Sequence, residues 1–182
     1  VRARLGPILA DTKIAKVCHN AKYDMTILAQ YGMPVVGVSD DTMIAAWLLE
    51  PSGRGIGLKN QAWQRLGVEM TEIEELIGKG AKQISMDQVK IEHVTPYACA
   101  DADMTLRLAN VLLPELDRQR QSKLYYEIEM PLIPVLVGIE THGMMVDLLY
   151  LEQMGREISE RLEQLEAEIY REAGHPFNIK ST

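Results

Sequence analysis

Between residues 13 and 53 the chain runs twice through one order of elements, and that order restricts the fold more than any other feature of it. "KIAKVCHN" (13 to 20) is a short apolar run with its lysines toward the N-terminal side, ending at the polar pair His19 and Asn20, which predicts a strand that stops at a polar edge. "AKYDMTILAQYG" (21 to 32) spaces Tyr23, Ile27 and Tyr31 with helical periodicity and stops at Gly32, a residue suited to follow a helix. "MPVVGVSD" (33 to 40) is short and β-branched, and "DTMIAAWLLEPSG" (41 to 53) opens on Asp and Thr, continues apolar and ends at Pro51. Strand, helix, strand, helix predicts an α/β architecture with helices packed on a sheet. Two strands are thin for a freestanding sheet.

The remainder reads as helical. "LKNQAWQRLG" (58 to 67) and "TEIEELIGKG" (71 to 80) form two short segments, and a long helix runs from Pro96 to about Arg118, with Thr95 as its N-cap and Pro96 at the first helical position, where a missing N–H costs nothing. After residue 121 comes "YYEIEMPLIPVLVGIETHG" (125 to 143), a helix with prolines inside it, then a short extended "MMVD" and a charged helix from Leu148 to Ala173 stopped by Gly174 and Pro176. These last two helices read as a C-terminal helical hairpin that needs another surface to rest on.

Charge changes along the chain. Residues 1 to 120 hold 14 basic and 15 acidic side chains, whereas 121 to 182 hold 5 and 11, so most of the net charge of -7 sits in the last third. The expected division is therefore 1–120 and 121–182. An acidic balance argues against coating duplex nucleic acid through its phosphates, but not against a site for a short single strand. Cys18 and Cys99 are the only cysteines, lack CxxC spacing, and read as buried free thiols in a reducing cytoplasm. No apolar run is long enough to span a membrane and the start is not a signal peptide, so a cytoplasmic chain without a membrane partner is expected.

In "PYACAD" (96 to 101), Tyr97 and Asp101 stand at i, i+4 on one helix face, so the phenol can reach a water or oxygen held beside the carboxylate. Asp103 points about 200° away. A core tyrosine whose hydroxyl meets an aspartate gives the same spacing. In "HNAKYD" (19 to 24), His19, Asn20, Lys22, Tyr23 and Asp24 gather hydrogen-bond donors, an aromatic face and a carboxylate, which suits a nucleotide and its metal ion. Asp24 also complements the macrodipole at a helix start.

"HNAKYDMTIL", "DTMIAAWLL", "LIGKGAKQIS" and "YACADADMTLRL", in this order, resemble the landmarks of the 3′ to 5′ proofreading exonuclease domain of family A bacterial DNA polymerases, the DNA polymerase I type. "YEIEMPLIPVLVGIETHGMMVD" and "FNIKST" resemble the opening of the polymerase region that follows it. The resemblance implies a ribonuclease H-like fold and a two-metal exonuclease acting on the 3′ end of single-stranded DNA, within a longer polymerase chain. It makes Asp24 and Asp101 metal ligands and catalytic residues, Tyr97 the phenol that orients the attacking water, and His19, Asn20 and Tyr23 contacts to the terminal nucleotides. The family commonly carries Gln where this chain has His19. Two Mg²⁺ or Mn²⁺ ions about 4 Å apart suit hydrolysis of a phosphodiester, which builds charge on the entering and leaving oxygens.

The family's Asp-x-Glu motif occurs nowhere in the 182 residues. The chain is therefore expected to lack the first strands of the exonuclease sheet, to be weak or inactive alone, and to self-associate through exposed sheet edges. A ribonuclease D-like RNA-trimming enzyme shares the strand, helix and tyrosine motifs, and a non-catalytic exonuclease-fold scaffold is the other alternative. "GRGIGLKN" (53 to 60) lacks the Walker Lys-Ser/Thr pair and reads as a connector. Lys79 and Lys82 in "GKGAKQ" read as a solvated helix terminus or as contacts to a phosphate backbone.

Overall fold

The computed structural model describes residues 2–52 and 54–179. In chain order the elements are α1 (Arg2–Ala10), β1 (Lys16–Cys18), α2 (Ala21–Gln30), β2 (Val38–Asp41), α3 (Thr42–Leu49) and α4 (Leu58–Gln61), which continues as a π-helical turn over Ala62–Leu66. Then follow α5 (Ile73–Ile77), 3-10 turns at Gly80–Lys82 and Met86–Gln88, and α6 (Ile91–Arg118). The chain continues through α7 (Ser122–Leu124), a π-helical turn at Tyr125–Glu129, α8 (Met130–His142) and α9 (Leu148–Ala173). The division into compact units falls between His142 and Gly143.

In the first unit β1 and β2 pair in parallel, with Val17 opposite Asp40 and Cys18 opposite Asp41. A parallel pair needs a crossover connection, and α2 supplies it. The second strand is shorter than its β-branched run implies because Gly37, at φ 70, turns the backbone just before Val38. The Gly37 carbonyl still accepts the Lys16 N–H at 3.0 Å, and the Val36 N–H donates to the Leu9 carbonyl of α1 at 3.0 Å. Helix α1 itself has no counterpart in the sequence pattern. It buries none of its residues and holds Pro7, so it shows no apolar periodicity to read.

The core lies where α3 meets α6. Ala45, Ala46 and Leu48 pack on Leu108, Leu112 and Leu116, with Tyr125 closing the cluster. The three leucines recur every four residues and so share one helix face. Each contributes about 1.5–3 kcal/mol by leaving water.

Two expectations are corrected here. Helix α6 begins at Ile91, one turn before Pro96, so Thr95 is not its N-cap; the Thr95 hydroxyl donates to the Ile91 carbonyl at 2.7 Å inside the helix. Residues 91–93, 95 and 96 are exposed, so water can satisfy the carbonyl that the proline leaves without a partner. The thiols are free, but Cys99 is exposed, because the buried face of α6 runs through Met104, Leu108 and Leu112, and Cys18 at the end of β1 is only half-buried. The charge break near 120 lies inside the first compact unit, which runs to His142. Tyr125 is fully buried and the segment through His142 folds with the first unit, since a change in surface charge does not require a change of core.

In the second unit, Asp147 caps α9 by accepting the Tyr150 N–H at 3.0 Å, and Gly174, at φ 72, ends it with an N–H bond to the Tyr170 carbonyl at 3.0 Å. Its apolar positions Leu151, Ile158, Leu162 and Leu165 are exposed. Among the described residues no helix is long and apolar enough to cross a membrane. Gly53 of the "GRGIGLKN" segment and the last three residues of "FNIKST" lie outside the described residues.

Candidate active site

The site forms where β1 ends and α2 begins. Asn20 takes a left-handed conformation, φ 70 and ψ 54, and turns the chain from strand into helix. A non-glycine residue in that region costs energy, and Asn is among the few side chains that tolerate it. The turn is held from below by Asp41, which is 1 % exposed. Asp41 Oδ1 accepts the Asn20 N–H at 3.1 Å and the Met43 N–H at 2.9 Å, while Oδ2 accepts the Ala21 N–H at 2.7 Å. One carboxylate thus satisfies the free donors at the starts of both α2 and α3.

Asp24, in the first turn of α2, faces a cleft of about 400 Å³ that it lines together with Cys18, His19, Leu58, Asp101 and Thr105. Helix α6 supplies the last two, and the Thr105 hydroxyl donates to the Asp101 carbonyl at 2.8 Å. Asp24 and Asp101, remote in sequence, therefore border one space. The carboxyl pKa of Asp24 is raised by burial of its inner side and further by Asp41. That of Asp101 is raised by burial, with Lys59 opposing. Burial, Asp24 and Asp41 push the Cys18 thiol up to about 11, so it stays protonated at neutral pH and is no nucleophile.

His19 is turned into the fold. Its Nδ1 lies 2.8 Å from the Thr42 hydroxyl, which in turn reaches the Cys18 carbonyl at 3.1 Å. Its Nε2 is enclosed and makes no hydrogen bond of standard geometry, with the backbone of Ile56 as a polar neighbour. Burial lowers the imidazole pKa against the pull of Asp41. Asn20 spends its backbone on the turn, and Tyr23 is 62 % exposed. Lys22, between them, forms an ion pair with Glu140 of α8.

Tyr97 stands one turn before Asp101 on α6 and is half-buried. The Lys59 ammonium lies 5.3 Å from its ring centroid and pairs with Glu72 at 2.9 Å. The phenol pKa is raised by burial and by Asp101, with Lys59 opposing. Asp103 pairs instead with Arg107 at 3.7 Å on the outer face. The structure thus brings Asp24, Asp101 and His19 to the lining of one cleft, whereas Asn20, Tyr23 and Tyr97 do not line it; Asn20 follows His19 in the turn, and Tyr97 stands one helical turn from Asp101.

Two carboxylates lining an open cleft are hard oxygen donors of the kind that Mg²⁺ and Mn²⁺ take. Among the described residues no group of three or more His, Cys, Asp and Glu gathers to enclose an ion. Asp41, whose buried carboxylate shapes the site, is legible in sequence only as an N-cap. Nothing in the sequence singles out Lys59.

A family model described as 3′-5′ exonuclease matches residues 2–117. The chain belongs to this exonuclease family. DNA polymerase I of Chloroflexus aurantiacus is 44% identical over 180 residues, which are 97% of this chain and 19% of that protein. DNA polymerase I of Pseudomonas aeruginosa is 39% identical over 180 residues, 97% of this chain and 20% of its own length. The chain thus spans about a fifth of the length of these curated relatives. A solved structure, the POL domain of Pol1 from M. smegmatis in complex with DNA primer-template and dNTP, superposes with a TM-score of 0.75 at 28% identity, over 99% of this chain and 28% of that one. The exonuclease match ends at residue 117, whereas the compact unit continues to His142.

Proposed function

We propose that this chain is the 3′ to 5′ exonuclease part of a DNA polymerase and that it acts on the 3′ end of single-stranded DNA. The observation that carries this reading is the meeting of Asp24 and Asp101 in one cleft, with Tyr97 one turn from Asp101. In it, the two carboxylates hold Mg²⁺ or Mn²⁺. Divalent ions there supply charge stabilisation for the entering and leaving oxygens and lower the pKa of water. Tyr97 orients the attacking water from the α6 side. Exposed Tyr23 offers a ring face for the terminal base, which stacks without sequence preference, and Asn20 and His19 border the same nucleotide. The longer polymerase chain is the partner that this reading implies.

Two carboxylates leave most positions of a six-coordinate ion to water, and such a site binds metal weakly. The 182-residue chain is accordingly a slow nuclease by itself. The test is release of mononucleotides from a 5′-labelled single-stranded DNA oligonucleotide, with protein in excess and Mg²⁺ or Mn²⁺ present. Slow release that is abolished in Asp101→Ala and in Asp24→Ala is expected. No release with the unaltered chain, or release indifferent to both substitutions, refutes the reading. An RNA oligonucleotide of the same sequence, degraded faster, replaces the DNA substrate with an RNA one.

A further inference from the structure

Lys59 belongs to the four-residue helix α4, and its neighbour Leu58 lines the cleft shared by Asp24 and Asp101. Its side chain is only 24 % exposed, which is low for a lysine, and its ammonium is held from two sides. Glu72 Oε2 lies 2.9 Å away, and the Tyr97 ring centroid 5.3 Å away. Glu72 is the N-cap of α5, and its backbone N–H donates to Glu75 Oε1 at 2.8 Å, while its side chain is 60 % exposed. The cation therefore bridges the Glu72 carboxylate at the start of α5 and the face of one phenol.

A tyrosine ring has two side-chain torsions, and small rotations about them carry the hydroxyl through several ångströms. An ammonium within about 6 Å of the ring centroid is attracted to the π face, which biases the ring toward one orientation. Orientation matters for a group that aims water, since misplacement by about 1 Å can cost about 100-fold in rate.

We propose that Lys59 is a positioning residue for phosphodiester hydrolysis: anchored by Glu72, its ammonium clamps the ring of Tyr97 and keeps the phenol directed beside Asp101. The catalytic part of this statement rests on the exonuclease reading above; the clamp itself does not.

Two measurements on the 182-residue chain test it. In ring-labelled tyrosine NMR, with the Tyr97 signals identified by Tyr97→Phe, Lys59→Ala is expected to shift and broaden those signals, and Lys59→Arg to restore them, because a guanidinium also stacks on a ring. In single-turnover digestion of a single-stranded DNA oligonucleotide with Mn²⁺, Lys59→Ala is expected to slow release about 10-fold at unchanged oligonucleotide affinity. Lys59→Arg should regain most of that rate, and in a Tyr97→Phe background Lys59→Ala should change nothing further. Tyr97 signals indifferent to Lys59→Ala overturn the clamp. So does a rate loss from Lys59→Ala that persists in full without the phenol, since Lys59 would then act elsewhere. A Tyr97→Phe chain with the unaltered rate refutes instead the exonuclease role of the phenol, while the ring signals still decide the clamp.

Discussion

Oδ2 of Asp41 accepts the backbone N–H of Ala21 at 2.7 Å, and this bond joins the end of β2 to the start of the helix that carries Asp24. The same side chain accepts the N–H groups of Met43 and Ile44 at 2.9 and 3.3 Å. The carboxylate is buried, so these donors are its compensation for leaving water. Asp24 lies within one turn of Ala21, and its place in the cleft is inherited from Asp41.

Asp41→Ala should therefore destabilise the first unit by about 3 kcal/mol or more, since it removes a cap and leaves buried donors without acceptors. Asp41→Asn keeps one carbonyl oxygen and should lose less. Urea unfolding followed by far-UV circular dichroism measures both; a midpoint unchanged in Asp41→Ala contradicts the bracing role.

Tyr125 completes that brace from a distance of 84 residues in sequence: its hydroxyl accepts the Asp41 N–H at 2.7 Å. Tyr125→Phe should cost about 1–3 kcal/mol at neutral pH by orphaning that donor. Burial, first of all, with Asp40 and Asp41 adding, pushes the phenol far above its ordinary 10.0. The unfolded chain thus releases a proton near pH 10 that the folded chain keeps. The stability linked to this proton is whole below pH 10 and is lost as pH rises beyond it, at no more than about 1.4 kcal/mol per pH unit. Stability against pH from 9 to 11.5 should fall less steeply in Tyr125→Phe; equal slopes would remove Tyr125 as the source.

Much of this was within reach of the sequence, and the reason is geometric. The two strand and helix pairs, the Gly174 stop of α9, and the common face of Tyr97 and Asp101 all follow from hydrogen bonding over a few residues. Thr95 and Pro96 make a good local signal for a helix start, yet α6 adds one more turn and begins at Ile91, where the residues are exposed.

Leu112 is fully buried between α3 and α6. Leu112→Ala should destabilise the first unit by about 2–5 kcal/mol. Thermal unfolding monitored by circular dichroism reads the loss, and a change under about 1 kcal/mol would mean that the interface collapses to fill the space.

Gly37 holds φ 70, and a Cβ there would meet the carbonyl oxygens of Ile14 and Thr12 at 3.2 Å. Gly37→Ala should cost about 1–2 kcal/mol for the left-handed backbone alone, with the crowding added. A midpoint equal to that of the unaltered chain would show that β2 can be entered by another path.

Mn²⁺ affinity, read by electron paramagnetic resonance, should drop about 10-fold or more in Asp24→Asn and in Asp101→Asn. Metal binding needs the ionised carboxylates, and both are raised above the ordinary 3.8. Affinity should accordingly fall as pH drops through a range above that of a free aspartate. Equal affinity in all three chains would leave the cleft without a metal-binding role.

What the sequence determined by itself is local: where the backbone turns from strand to helix, which residues cap it, and that a phenol and a carboxylate share one face of α6. Helix and strand geometry repeats over two to four residues, so neighbours in sequence suffice to specify it. Only the tertiary structure decided that Asp24 and Asp101 line one cleft, that Asp41 and Tyr125 brace the turn that carries Asp24, and that Lys59 lies over Tyr97. Those meetings depend on how α3, α4 and α6 pack on the sheet, and packing is set by side-chain volume and burial summed over the whole unit, which no short stretch of residues encodes.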